Sequence, residues 1–418
     1  MCLAAVVTQA LLLSLVSCQQ EDVRATYQDS LATTVADFTQ SIYVHLATTS
    51  DKENFVFSPL SLHSALSLLY LATKPNSTTQ NELGGAMGKI NSPELVNEAY
   101  KSVLRSYEGQ NSFLYGNHIW VSNKFEVDPS YKSMVTKNFG AKISKMYFDR
   151  VGAVQKVNKW VQKLTNNKVQ NLVDSFTGDT QMFLANAVYF KDKWMIPFEE
   201  VDLNGKKLEK DFRTDSGLIN VPMVWQDSED FVYGEIETKA GLLQAVTIPY
   251  ENQQFEMQII LPEKNIKFLE HMLKSGKDRD AFDSTSFNLF THPKNISENQ
   301  YKEIHLKFPL FQVKSKVSAA EALKSLGATE VFSSGADLDK ITAEGPVGVG
   351  NIIHEAVVEV SKDGSEAAAA TGIELTLLSS GFKKHIVVDK PFIFIIHDRV
   401  NNIPIIVGRI KNPTIKLP

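Results

Sequence analysis

The chain has 418 residues with 43 Lys+Arg against 48 Asp+Glu, a formal net charge of −5 that offers no general attraction for nucleic acid or an anionic membrane. A hydrophobic fraction of 43%, with 24 Phe, supports a large packed core and excludes disorder. Its 22 Gly and 15 Pro exclude collagenous and low-complexity classes.

Residues 1–18 read as a secretory signal peptide. The run from Leu3 to Val16 is apolar apart from Thr8, Gln9 and Ser14, and polar Gln19 to Asp22 follow at once. The run is short for a membrane span, and cleavage is expected after Cys18. Leu15-Val16-Ser17-Cys18 also has the form of a bacterial lipoprotein signal, but no Lys or Arg precedes it. Both cysteines, Cys2 and Cys18, fall in this leader, so the mature chain, 19–418, should hold no disulfide and no thiolate ligand.

Along the mature chain, Ser58-Pro59 places an N-cap before a proline at the first helical position. The helix that follows carries Leu62, Ala65, Leu66, Leu68 and Leu69 around most of its circumference, so it should be buried. Asn76-Ser77-Thr78 is a glycosylation sequon. Val154 to Leu164 is helical, with Val157, Trp160, Val161 and Leu164 on one face. Phe183 to Phe190, Leu243 to Ile248 and Phe255 to Leu261 read as strands. Lys274 to Lys302 is a polar excursion holding a second sequon at Asn295. Ala319 to Leu326 is a helix stopped by Gly327, and Phe392 to Ile396 should pair with Ile403 to Val407 across Asn401-Asn402. With no repeat and no linker, helices followed by strands indicate one large α+β domain.

Enzyme chemistry is not found. Gly348-Val349-Gly350 starts like a dinucleotide fingerprint, but Ile353 stands where the third glycine belongs, so the run reads as a loop. His354-Glu355 lacks the second histidine of a zinc-protease helix, since position 358 is Val. No Gly-x-Ser-x-Gly and no phosphate-binding Gly-x-x-x-x-Gly-Lys occurs. No cofactor or metal is expected. Lys156, Lys159 and Lys163 line one side of a helix, and Lys206, Lys207 and Lys210 form a second cluster. Each suits a sulphated polysaccharide or is simply a solvated face with acidic residues interspersed nearby.

The segment Glu366-Ala367-Ala368-Ala369-Ala370-Thr371 has helical propensity, yet Val357-Val358-Glu359-Val360 before it is strand-like and Gly364 interrupts. From Ser365 onward the residues sort by parity. Ser365, Ala367, Ala369, Thr371, Ile373 and Leu375 share one face, small and then apolar; Glu366 and its companions share the other. Such a segment is able to slip into a crowded sheet.

These features resemble the serpins, protease inhibitors that trap their targets by loop insertion. The resemblance runs nearly the whole mature length. It is carried by Asn54 to Ser61, by Asn158-x-Trp160-Val161 with Thr165, and by Ala185-Asn186-Ala187-Val188-Tyr189-Phe190-Lys191 with Trp194 and Phe198. Phe308-Pro309, Leu326-Gly327 to Phe332, Ala336-Asp337-Leu338, His354, the alanine hinge, Asp389-Lys390-Pro391-Phe392 and Gly408-Arg409 to Asn412-Pro413 complete it.

The resemblance implies a single large α+β domain with three β-sheets, about nine helices and an exposed reactive loop over about 362–386. It implies a secreted monomer that acts as a suicide substrate for serine proteases. Gly364 matches the hinge glycine, and counting fourteen residues on by the family's spacing places the reactive bond at Leu378-Ser379, with Leu377 and Thr376 as alternatives. A leucine there suits chymotrypsin-like or elastase-like enzymes. Lys383 and Lys384 would suit trypsin but lie too far along the loop. The resemblance further implies that Ser58, Ser61, Asn186 and His354 form a buried polar cluster where the sheet opens.

Two positions depart from the family. Lys362 stands for an acidic residue two before the hinge glycine, and Leu310 for its basic partner, so that ion pair should be missing. The competing function is a non-inhibitory serpin: a carrier, chaperone or storage protein that keeps the fold without the trap.

Overall fold

A computed structural model describes residues 2–49, 53–202, 204–238, 241–275, 303–342, 344–345, 347–365 and 383–414. The backbone opens with helix α1 (Cys2–Thr49), β1 (Phe55–Phe57) and α2 (Pro59–Ala72), then α3 (Thr78–Ala86) and α4 (Pro93–Arg105). The Ser58 side chain accepts the Ser61 N–H at the start of α2, and every residue of α2 is buried. Its leucine-rich circumference therefore enters the core on all sides.

The main sheet contains β2 (Phe113–Ser122), β3 (Lys142–Met146), β4 (Met182–Phe190), β12 (Phe311–Ser318) and β13 (Val349–Val360), in the order β12-β13-β4-β2-β3. A six-stranded sheet joins β1, β8 (Val232–Thr238), β9 (Gly241–Pro249), β10 (Phe255–Pro262), β16 (Phe392–Asp398) and β17 (Ile403–Ile410). A third sheet holds β6 (Glu209–Thr214), β7 (Gly217–Ser228), β11 (Glu303–Pro309) and β15 (Lys383–Val387). A short ladder pairs β5 (Asp192–Lys193) with β14 (Gly364–Ser365). The remaining helices are α5 (Pro129–Phe139), α6 (Gly152–Leu164), α7 (Ile266–Ser275) and α8 (Ala319–Ser325). The described residues thus form three principal sheets and eight α-helices, one α+β unit.

The hairpin of β16 and β17 forms as expected, with Ile396 opposite Ile406. One sequence expectation needs correction. Val349 and Gly350 open β13 instead of lying in a loop, and the pairing with β4 shifts register between Val349 and Asn351. A glycine at such an irregularity interrupts the apolar run that would otherwise announce the strand.

Two features of the main sheet position the site. First, β4 and β13 are neighbours and run parallel, from Val349 opposite Met182 to Val357 opposite Tyr189. Second, α6 lies across the outer face of this sheet. Val157 and Val161 bury against Trp120, Phe183, Ala185, Ala187 and Val357. Gly116 of β2 permits the close approach, because a Cβ there would stand 2.8 Å from Leu164 Cδ2. The irregular segment after α6 folds back over the sheet, held by Asn158, whose Oδ1 accepts the Leu172 and Val173 N–H groups at 2.9 and 3.0 Å. It is tied to the far half of the sheet by Lys168–Glu359 at 2.8 Å and Asp174–Lys316 at 3.6 Å. At the start of β4 and β13 the seam opens into a cavity of about 690 Å³, bordered by Thr180, Phe183, Lys316 and Asn351.

Candidate functional site

The hinge begins where β13 ends. After Val360 the chain makes a turn closed by the Ser361 N–H and Ser361 hydroxyl, both donating to the Gly364 carbonyl at 2.7 and 2.8 Å. Gly364 then pairs with Lys193 and Ser365 with Asp192. Only glycine suits position 364: its φ is +147°, and a Cβ would collide with the Asp192 carbonyl and stand 2.6 Å from Lys193 Cα.

Ser365 is fully buried, and its hydroxyl shares a 2.7 Å hydrogen bond with the Tyr250 hydroxyl. Burial pushes the Tyr250 phenol well above its ordinary value, so it stays neutral. Tyr250 stacks on Trp194 at 4.5 Å between ring centroids. Trp194 in turn donates its indole N–H to the Ser361 carbonyl at 3.0 Å and its backbone N–H to the Asp363 carbonyl at 3.1 Å. Asp192, half-buried under the ladder, is pushed up to about 6 by burial. The first hinge residues are therefore clamped by an aromatic pair. Glu366, Ala367, Ala368, Ala369, Ala370, Thr371, Leu378 and Ser379 lie outside the described residues.

At the two departures, Leu310 packs half-buried against the core. The Lys362 carbonyl accepts the Phe198 N–H at 2.8 Å, and no ion pair links the Lys362 side chain to a described residue. Beyond the loop, Lys383 and Lys384 belong to β15. Lys383 meets Asp227 at 2.5 Å and Glu303 at 3.7 Å, and Lys384 meets Glu235 at 3.0 Å. Both lysines are committed to a paired strand.

Below the hinge, the structure brings Ser58, Ser61, Asn186 and His354 into one buried chain of hydrogen bonds. His354 and Asn186 face each other across the β13–β4 seam. His354 Nε2 accepts the Ser58 N–H at 2.9 Å, which fixes the proton on Nδ1, and Nδ1 donates to Asn186 Oδ1 in a short bond. Asn186 Nδ2 then donates to the Ser61 carbonyl and hydroxyl at 3.0 and 2.6 Å, and to Asn117 Oδ1 at 2.5 Å. The Ser58 hydroxyl donates to the Ile405 carbonyl at 2.5 Å. Complete burial pushes His354 down to about 3, so the ring is neutral. Sequence reasoning missed Asn117 and Tyr250. Asn117 lies in the middle of β2 and Tyr250 just past the end of β9; each is a common polar residue that only the three-dimensional fold brings to the site.

Asn76 is exposed at the turn before α3, where Ser77 caps the helix by accepting the Gln80 N–H; Asn295 lies outside the described residues. Lys156, Lys159 and Lys163 are exposed along α6. Lys206, Lys207 and Lys210 are also exposed, and Lys210 meets Asp389 at 3.6 Å. Among the described residues no three His, Cys, Asp or Glu side chains gather as a metal site, and no helix is long and apolar enough to cross a membrane.

The family model described as Serpin (serine protease inhibitor) matches residues 33–413. Neuroserpin of Mus musculus is 29% identical over 415 residues, spanning 96% of each chain. Among solved structures, the native thermophilic serpin tengpin superposes with a TM-score of 0.77 at 24% identity, covering 92% of this chain and 94% of its own. Human thyroxine-binding globulin, solved in complex with thyroxine, gives 0.77 at 21% identity, covering 93% of this chain and 100% of its own.

Proposed function

The chain belongs to the serpin family, and from that premise we propose that it is a secreted suicide-substrate inhibitor of chymotrypsin-like or elastase-like serine proteases. The observation that carries this reading is the hinge. Gly364 and Ser365 sit just past the end of β13, beside the seam, and the sequence from Glu366 to Thr371 continues with four alanines and no proline, Glu366 being its one large or charged residue.

The protease serine attacks the Leu378 carbonyl carbon, the Leu378–Ser379 amide bond breaks, and the Ser379 amine leaves with a proton from the protease histidine. An ester joins Leu378 to the protease. The freed arm remains attached to β13 at the hinge, so turning back into the sheet makes it antiparallel to both β13 and β4. One parallel ladder is then exchanged for two antiparallel ones, the slightly stronger arrangement. At about 1 kcal/mol net per hydrogen bond, a dozen new ladder bonds with burial of Ile373 and Leu375 supply on the order of 10 kcal/mol. That is comparable with the roughly 5–15 kcal/mol that holds a protease domain together. The ester is stranded when the dragged protease deforms.

In this reading the His354–Asn186 bond, which crosses the seam, keeps the sheet shut until the loop arrives. The exposed Asn76 carries an N-linked glycan. Incubation with chymotrypsin, pancreatic elastase and trypsin, followed by denaturing electrophoresis, tests the reading. The expected result is an SDS-resistant complex with the first two and cleavage between Leu378 and Ser379 by mass spectrometry. Loop cleavage without any complex and without a rise in melting temperature would identify a non-inhibitory carrier instead.

A further inference from the structure

Leu310, one of the two departures from the family pattern, lines a cavity of about 530 Å³ at the root of the hinge. Lys362, the other departure, follows directly on Ser361, which also lines it. Here the end of β13, the corner between β11 and β12, strand β7 and the segment after β17 come together. The apolar wall consists of Val221, Pro222, Leu310, Phe311, Val360 and Pro413. Val221, Phe311, Val360 and Pro413 are buried, Leu310 is half-buried and Pro222 is exposed, so the cavity has an apolar floor and an open mouth. Its volume falls within the range of small-molecule sites.

The charges beside this cavity do not balance. Glu359 lines it, but its carboxylate is already held by Lys168 at 2.8 Å and by the Gln312 amide. Lys362 is half-buried and has no ionic partner among the described residues; Asp363, next in the chain, is buried and forms no ion pair with it. A serpin with the usual acid and base at these two positions closes the corner with an ion pair. Here an apolar wall and an unmatched cation stand in its place.

We propose that this cavity binds a small single-chain amphipathic carboxylate of the fatty-acid class, its hydrocarbon against Leu310, Phe311 and Val360 and its carboxylate on Lys362. The ligand supplies the acid that the chain lacks at position 362. A neutral apolar ligand leaves the ammonium without a partner, and a cationic one opposes it. The site is also placed to act on the hinge. Ser361 closes the hinge turn through its N–H and hydroxyl, both donating to the Gly364 carbonyl at 2.7 and 2.8 Å, and its own carbonyl accepts the Trp194 indole N–H at 3.0 Å. Lys362 belongs to that turn, whereas Leu310 and Phe311 belong to the β11–β12 corner. A ligand that touches both bridges the part that must move and the part that stays, so it favours the closed hinge.

The probe is octanoate, titrated by calorimetry into the uncleaved full-length protein, with the melting temperature followed at the same concentrations. Hexanoate, octan-1-ol and octylamine are the comparison ligands. Lys362→Gln and the double variant Leu310→Lys/Lys362→Glu, which restores the acid and base usual in the family, are the comparison proteins; neither side chain is fully buried, and unliganded melts check folding. The expected result is one saturable octanoate site and a rise of about 3 °C at a hundredfold excess over Kd. Hexanoate, two methylenes shorter, should bind about tenfold more weakly. Lys362→Gln should weaken octanoate about tenfold, to the level of octan-1-ol, and leave octan-1-ol unchanged. The double variant, its corner closed by its own ion pair, should respond to neither. Absence of a saturable site, octylamine binding as tightly as octanoate, or wild-type octanoate affinity in either variant would overturn the proposal. No protease enters this test, so its result stands apart from the inhibitory reading.

Discussion

Replacing His354 by Ala tests the seam most directly. The imidazole satisfies two buried groups at once, the Ser58 N–H at 2.9 Å and Asn186 Oδ1 across the seam. Truncation leaves both without a partner, and each unsatisfied buried group costs about 1–3 kcal/mol. The expected loss is therefore about 2–6 kcal/mol, toward the lower end if water enters the space left by the ring. The damage is also directional. Asn186 keeps its bonds to Ser61 and Asn117, so β4 stays anchored to α2 and β2, whereas β13 loses its side-chain link to β4. The sheet should part more readily, giving a lower melting temperature and loop–sheet polymers on native gels after mild heating. The assay is a melt followed by scattering and circular dichroism, with aliquots run on native gels. A His354→Ala protein that melts within 1 °C of wild type and forms no polymer would refute the assignment of this hydrogen bond as the closure of the seam.

The buried histidines predict a pH dependence with a definite sign. Burial holds His354 and His118 down to about 3 and His63 to about 4, against about 6.5 unfolded. Their contribution is complete above pH 6.5 and is lost as pH falls toward 4, at about 1.4 kcal/mol per pH unit for each fully buried ring. Asp192, pushed up to about 6, acts in the opposite direction between pH 6 and 4 but is half-exposed and weaker. Urea unfolding at pH 7, 6 and 5 should show falling midpoints, and a flat profile would contradict neutral burial. Ala369→Arg should place an unpaired guanidinium on the inserting face and convert the inhibitor into a substrate, read as loop cleavage without SDS-resistant complex; complexes at wild-type stoichiometry would show that this face does not insert. Leu378→Arg should weaken inhibition of chymotrypsin and elastase and create inhibition of trypsin, read as second-order rate constants, and unchanged selectivity would move the reactive bond elsewhere.

The sequence announces the elements whose signals are local. Ser58-Pro59 with its leucines marks α2, the Val157, Trp160, Val161 face marks α6, and the alternating runs mark β4, β9, β10 and the β16–β17 hairpin. The sheet order is not local, and neither is the clamp on the hinge. Ser365 and Tyr250 are 115 positions apart, and the ladder that holds Ser365 against Asp192 is two residues long, too short to leave a pattern. The β13 start is hidden for another reason, since Gly348 and Gly350 suppress strand propensity where the register shifts. Ser58, Ser61, Asn186 and His354 are readable as one cluster only through resemblance, because a lone serine, asparagine or histidine in an apolar run carries no periodicity.

The ties over and under the seam also set a clock. Lys168–Glu359 and Asp174–Lys316 tie the segment between α6 and β4 to β13 and β12 on the outer face, while His354–Asn186 joins β13 to β4 on the inner face. In the proposed mechanism an acyl-enzyme faces two competing fates, hydrolysis by water and insertion of the arm, and the faster one decides whether a protease is captured or released. Insertion must part the ties on both faces, so their combined strength fixes the partition ratio, the number of inhibitor molecules spent per protease trapped. The outer ties are partly exposed ion pairs and weaken with salt, whereas the inner one is buried and does not. Ionic strength should therefore tune the efficiency of the trap while leaving its closed state intact.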